Sequence, residues 1–267
     1  MSKTQREKPI GVFDSGVGGL SVLIELKRLL PKENFVFIAD QLYVPYGEKS
    51  QKELINLAYK ITDYFINQHD IKMMVVACNT STCYTIDELR KKYPFPIVGT
   101  VPAIKPAAED TKTGTIGVIS TPSTSKSEAV KKLIEDNCQN IKVFNIGCKN
   151  LEDAVEQGDL NSRKVSALLG KYLKDIKNSK ADQLVLGCTH YPFLKQIIRK
   201  IISRPISLVD SGRAIARRTQ FLLLRNKIKN NQKRGKTVFY TTGNPAKFGK
   251  VASKLLKKKI FAFKTIL

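Results

Sequence analysis

Short apolar runs alternate with longer amphipathic stretches along the chain. The runs at 10–13, 35–38, 73–77, 97–99, 115–119, 142–145, 183–186, 206–209 and 238–241 read as strands. The stretches between them carry helical spacing. Within 52–68, for example, Leu54, Ala58, Ile61 and Phe65 fall on one face of a helix. The alternation predicts βαβ units, hence an α/β fold with mainly parallel sheets flanked by helices.

The pattern also repeats. Ile10-Gly11-Val12 returns as Ile116-Gly117-Val118. Val75-Val76-Ala77-Cys78-Asn79-Thr80 is echoed by Val185-Leu186-Gly187-Cys188-Thr189-His190, and Ile97-Val98-Gly99 by Leu208-Val209-Asp210. The offsets are 106, 110 and 111 residues, in the same order along the chain. Such a period predicts two similar α/β domains. The expected division is 1–97 plus 208–267 for the first, with the C-terminal segment returning to it, and 98–207 for the second.

At 267 residues, 42% apolar and 26% charged, the chain has the makeup of a globular protein with a sizeable core. No apolar run is long enough to span a bilayer, and the polar stretch 1–8 lacks the apolar middle of a secretory signal. Five cysteines, an odd count, argue against a full disulfide framework and for a reducing cytoplasm. The charge is less ordinary: 46 basic against 23 acidic residues give +23. From Ser211 onward there are 16 basic residues and no acidic one. Such a field favours anionic small molecules or polyanions. The basic runs at 225–236 and 254–264 could neutralise phosphates. The second is interleaved with Leu255, Leu256, Ile260, Phe261 and Phe263, so part of it is expected to pack. These runs read as solvated basic surface rather than a nucleic-acid interface, and no membrane partner is expected.

Cys78 and Cys188 stand out. Each ends an apolar run that reads as a buried parallel strand, and each precedes polar residues that could open a helix. Ligands bind outside the carboxyl ends of such strands, and a helix N-terminus lowers a thiol's pKa. Two thiols at equivalent repeat positions suit one task. One, as thiolate, removes a proton from a carbon, and the other returns one from the opposite face. Cys83, Cys138 and Cys148 lack this setting and read as packing residues. With no CxxC pair and two histidines, a zinc site is a poor fit. His190, beside Cys188, is a candidate proton partner, whereas His69 reads as a surface residue. Asp14-Ser15-Gly16-Val17-Gly18-Gly19 follows the first strand but is neither GxGxxG nor GxxxxGK[ST]. Its glycines could bring backbone amides to a carboxylate, or Asp14 or Ser15 could simply cap a helix. Tyr46, in Pro45-Tyr46-Gly47, could donate to an anionic ligand or mark a plain turn. Glu156 falls late in a short predicted helix and alone would read as a solvated charge.

With these residues in view, the sequence closely resembles the glutamate racemases, cofactor-independent members of the aspartate/glutamate racemase superfamily. The resemblance is carried by the Asp14-Ser15-Gly16 start, Val44-Pro45-Tyr46-Gly47, Ala77-Cys78-Asn79-Thr80, Pro96-Ile97-Val98-Gly99, Gly187-Cys188-Thr189-His190-Tyr191-Pro192 and Val209-Asp210-Ser211-Gly212. It implies two α/β domains with the active site between them, and Cys78 and Cys188 as the acid/base pair. It implies Asp14, Ser15, Tyr46, Gly47, Asn79, Thr80, Thr189 and His190 in contact with L- or D-glutamate. Asp14, Glu156 and His190 match residues that assist the thiols. No cofactor and no metal are expected, the product would feed peptidoglycan synthesis, and a homodimer is among the assemblies the family allows. Two departures stand out: Ser81 where Ala is commoner, and residues 148–153 in place of a more apolar, proline-containing segment. The competing readings are racemisation of aspartate or another acidic amino acid, and a Cys–His amide hydrolase with Cys188 as nucleophile.

Overall fold

The computed structural model describes residues 4–231 and 234–267. Gln232 and Lys233 of the 225–236 basic run, and residues 1–3 of the N-terminal stretch, lie outside the described residues. The chain divides into two compact units, Met1–Thr100 with Gly212–Leu267, and Val101–Ser211.

The first unit begins with β1 (Ile10–Asp14), α1 (Leu20–Leu29), β2 (Phe35–Ala39), α2 (Gln51–His69), β3 (Met73–Val76), α3 (Asn79–Lys92) and β4 (Ile97–Gly99). The second comprises α4 (Ile104–Asp110), β5 (Thr115–Ser120), α5 (Pro122–Lys126), α6 (Glu128–Asn137), β6 (Lys142–Gly147), α7 (Leu151–Glu156), α8 (Arg163–Lys177), β7 (Gln183–Leu186), α9 (Lys195–Ile202) and β8 (Ser207–Val209). The chain then returns to the first unit with α10 (Gly212–Arg225), β9 (Thr237–Thr241), α11 (Pro245–Leu256) and β10 (Phe263–Lys264).

The first sheet has the order β10-β9-β2-β1-β3-β4, with every pairing parallel. Its central strands are buried along their whole length, which is why they read as continuous apolar runs rather than alternating ones. Side chains nevertheless alternate between faces. Phe13, Val36, Ile38, Met74 and Val76 join Leu54, Ala58, Ile61 and Phe65 of α2 in one buried cluster. Phe37 stacks against Phe248 of α11 at 6.2 Å. Helix α2 starts where Ser50 and Glu53 form a reciprocal capping box, and stops where Asp70 turns left-handed at φ 48°.

Near the amino ends of these strands lies a buried ion pair. Lys72 Nζ sits 2.6 Å from Glu33 Oε2 and also donates to the carbonyls of Arg6 and Ile228. The other Glu33 oxygen accepts from the Asn230 amide at 2.7 Å. Four separate chain segments are thereby tied to one ammonium–carboxylate pair.

The second sheet is smaller, with order β6-β5-β7-β8, again parallel throughout. Helix α8 lies so close to β5 that a Cβ on Gly117 would come 2.7 Å from Ile176. Among the described residues no helix is long and apolar enough to cross a membrane.

Part of the 254–264 run packs, as the end of α11 and as the short edge strand β10, but Phe261 and Phe263 stay exposed, and β8 starts at Ser207 rather than 206. His69 is half-buried, with its ring 5.5 Å from Tyr64 and 5.0 Å from Tyr240, rather than a plain surface residue. Tyr240 arrives from β9, so the neighbour that covers His69 is remote in sequence.

Candidate functional site

In each sheet the first strand is flanked by the two that follow it in its unit. β1 lies between β2 and β3, and β5 between β6 and β7. The connections therefore leave in opposite directions, and a crevice opens at the carboxyl ends of β1 and β3, and of β5 and β7. Asp14 and Cys78 lie at the first switch point. Ser120 and Cys188 lie at the second. Each thiol follows the third strand of its own unit, the same place in both.

In the first unit, Cys78 is the N-cap of α3 and its Sγ accepts from the Ser81 amide at 3.4 Å. The positive end of the helix therefore faces the sulfur. Ser15 Oγ lies 3.7 Å from the same sulfur. Both side chains are only 6% exposed. Asp14 is fully buried, and its Oδ1 accepts from the Gly16 amide at 2.9 Å. Neither Asp14 nor Ser15 caps α1, which starts at Leu20 with Gly19 at the N-cap and no side-chain cap. Gly19 is required by close approach, because a Cβ there would come 2.5 Å from the Asp14 Cβ. Asn79 donates to the Thr100 carbonyl at 3.3 Å, and Thr80 is buried beside it on α3.

Tyr46 and Gly47 lie in a short 3₁₀ turn, Tyr46–Glu48. The Tyr46 hydroxyl donates to Asp40 Oδ2 at 2.6 Å, so its proton is given to the protein rather than held out for a ligand. Burial, reinforced by the Asp40 charge, pushes the Tyr46 pKa well above its usual value. Burial also raises Asp40, against the pull of its hydrogen bonds from Tyr46 and Thr242.

The second unit is built differently. Cys188 is followed by a turn and the 3₁₀ helix Tyr191–Leu194, and α9 begins only at Lys195. The sulfur therefore does not sit at an α-helix N-terminus as its twin does. Its polar neighbour is His190, whose Nδ1 lies 3.5 Å from Sγ. On the far side of the ring, His190 Nε2 lies 2.7 Å from Oε1 of Glu156, the last residue of α7. Burial raises the Cys188 thiol pKa, while the His190 hydrogen bond and charge pull it back down. Burial works against a charge on His190, yet Cys188 and the Glu156 carboxylate hold its pKa well above 6.5. Thr189 is buried between the two.

The sequence-expected residues thus fall in two clusters, one in each unit. Asp14, Ser15, Tyr46, Gly47, Cys78, Asn79 and Thr80 belong to the first unit, and Glu156, Cys188, Thr189 and His190 to the second. Cys148 is fully buried, and desolvation pushes its thiol far up, as suits a packing residue. Asp40 was missed, although it carries the same signal as Asp14, an acidic residue closing an apolar strand. Tyr191 belongs to the motif that runs from Gly187 to Pro192. It is fully buried and its hydroxyl donates to the Cys148 carbonyl at 3.3 Å.

Residues 10–219 match the family model for Asp/Glu/Hydantoin racemase. The chain is 40% identical over 246 residues to a glutamate racemase of Pseudomonas syringae pv. tomato, covering 92% of this chain and 89% of that one. The fold is similar to the crystal structure of glutamate racemase isoform RacE1 from Bacillus anthracis, with TM-score 0.88 and 32% identity over 98% of both chains. It is also similar to glutamate racemase from Francisella tularensis in complex with D-glutamate, with TM-score 0.85 and 30% identity over 98% of both. The matched stretch runs through both switch points and every residue of the two clusters, and the chain belongs to the Asp/Glu/hydantoin racemase family as an isomerase of the amino-acid racemase type.

Proposed function

We propose that this chain interconverts L- and D-glutamate, with Cys78 and Cys188 as the two proton carriers. The observation that carries this reading is the repetition of a thiol at the switch point of each parallel sheet, each with a polar group beside it. For Cys78 that group is Ser15 at 3.7 Å, and for Cys188 it is His190 at 3.5 Å.

The chemistry is a two-base exchange. One cysteine, as thiolate, takes the α-proton, and an S–H bond forms as the C–H bond breaks. The electron pair left on carbon spreads into the α-carboxylate. The other cysteine, as thiol, delivers its proton to the opposite face and becomes the thiolate. One turnover therefore exchanges the protonation states of the pair. A thiol is suited to both roles because its ordinary pKa, about 8.5, lies close to neutral pH. The α-proton is a weak acid, so fixed donors must stabilise the developing charge. Ser15, Tyr46, Gly47, Asn79, Thr80, Thr189 and His190 hold the substrate in this reading, and Asp14, His190 and Glu156 set the protonation of the thiols. The basic chain favours an anionic substrate. The D-glutamate formed would supply peptidoglycan synthesis, and free thiols suit a reducing cytoplasm.

The test is incubation with L-glutamate in deuterium oxide without added cofactor. The expected result is α-deuterium in the D-product, lost in both Cys78→Ser and Cys188→Ser. Full turnover by either variant would overturn the scheme. A trapped thioester on Cys188 with Cys78 dispensable would instead favour an amide hydrolase, and faster turnover of aspartate would reassign the substrate.

A further inference from the structure

Asp40 directly follows β2 and is completely buried, yet its carboxylate carries two hydrogen bonds, one from the next turn and one from the return of the chain. Oδ2 accepts from the Tyr46 hydroxyl at 2.6 Å and Oδ1 from the Thr242 hydroxyl at 2.8 Å. Its backbone amide donates to the Asp14 carbonyl at 2.9 Å, and its carbonyl accepts from the Tyr43 amide at 3.1 Å. Thr242 is held in turn. Its Oγ1 accepts from the Leu42 amide at 3.0 Å, and its own amide donates to Ala39 at 3.1 Å. Lys264 of β10 donates to the Thr242 carbonyl from the sheet edge. Asp40 therefore ties three places together, the turn at Tyr46–Glu48 and the end of the return strand β9 through its side chain and the carboxyl end of β1 through its backbone amide. Burying a carboxylate is costly unless it is hydrogen-bonded, and such charge-assisted bonds are short and stiff.

We propose that Asp40 is a positioning residue: by accepting from Tyr46 and Thr242 at once, it fixes the Tyr46–Gly47 backbone as one wall of the Cys78 half-site. It touches no reacting atom and acts through Tyr46, which shares a buried cluster with Cys78. The catalytic consequence rests on the racemase reading above, whereas the structural one does not. Asp40 acts on ground-state binding more than on proton transfer, because both thiols keep their own partners without it.

The experiment uses Asp40→Asn, Tyr46→Phe and Thr242→Val in the full chain. Amide hydrogen exchange at 41–48 is read first. It should quicken at least about tenfold in Asp40→Asn, as expected for loss of a charged hydrogen bond. Unchanged exchange there overturns the positioning role whatever the reaction is. Glutamate kinetics are read second. KM should rise about tenfold in Asp40→Asn with kcat within about threefold. The double variant Asp40→Asn/Tyr46→Phe should be no worse than the poorer single one. A fall in kcat at constant KM, or fully additive effects, overturns the proposal. A lower melting temperature with unchanged KM reduces Asp40 to a stabilising residue and also overturns it. Thr242→Val tests the same link with little change in volume and should raise KM in the same direction. If the wild-type protein exchanges no α-proton of glutamate, it is the racemase reading that fails, and the amide-exchange result still decides the role of Asp40.

Discussion

Glu156 and His190 form a short pair, Oε1 to Nε2 at 2.7 Å, and the opposite ring nitrogen of His190 faces the Cys188 sulfur at 3.5 Å. A carboxylate, an imidazole and a thiol therefore stand in line. The carboxylate orients the ring and favours its charged form, and the charged ring favours the thiolate.

The Glu156–His190 pair should make stability pH-dependent with a definite sign. The folded pKa of His190 is raised, so the stabilisation is complete below the unfolded value of about 6.5. It fades as pH climbs through the folded pKa. Glu156→Gln is expected to cost about 1.5–3 kcal/mol at pH 6, with the difference from wild type shrinking at higher pH. Urea unfolding across that range measures it, and a pH-independent difference would refute the assignment.

His190 should control the reactivity of Cys188. Burial raises this thiol and His190 lowers it, so His190→Ala leaves burial unopposed. The pH midpoint for alkylation of Cys188 by iodoacetamide should move upward, and Cys78 is followed alongside it. Peptide-resolved mass spectrometry separates the two sites.

Gly19→Ala should disturb Asp14. The new methyl would meet the Asp14 Cβ at 2.5 Å, and both groups are fixed to buried backbone. Overpacking of this kind costs about 1–3 kcal/mol. A loss in kcat/KM larger than the loss in stability would mark displacement of Asp14 rather than general loosening, as comparison of kinetics with unfolding midpoints would show.

The buried Lys72–Glu33 pair should matter for folding and not for chemistry. Lys72→Met leaves the Glu33 carboxylate buried without its ammonium and is expected to cost about 3–5 kcal/mol. Adding Glu33→Gln to that change should recover part of the loss. Urea midpoints of the single and double variants decide it.

Much of the fold was legible because parallel strands buried on both faces leave uninterrupted apolar runs. β1, β3, β5 and β7 appear in the sequence within about a residue of their structural limits. The two thiols were legible because a cysteine closing such a run is placed at the end of a strand by the chain itself. What was not legible depends on partners far away in sequence. His69 looks like a surface residue until Tyr240 of β9 covers it. Glu156 looks solvated until the turn after β7 brings His190 to it. The difference between the two thiols is also hidden. Asn79-Thr80 continues into an α-helix, but Pro192 follows Thr189-His190 so closely that a turn and a 3₁₀ segment form first. Asp40 carried a readable signal, but its second anchor, Thr242, lies 202 residues away.

The return of the chain to the first sheet has a consequence for assembly during synthesis. The 101–211 unit is continuous, so it can emerge and fold while β2 still awaits β9. Thr242 leaves the ribosome later still, long after the Pro45-Tyr46-Gly47 turn it helps to secure. The part of the first unit that carries Cys78 is thus translated early and completed late, and a nascent chain stopped before residue 242 holds the Pro45-Tyr46-Gly47 turn through Asp40 without the second anchor of that carboxylate.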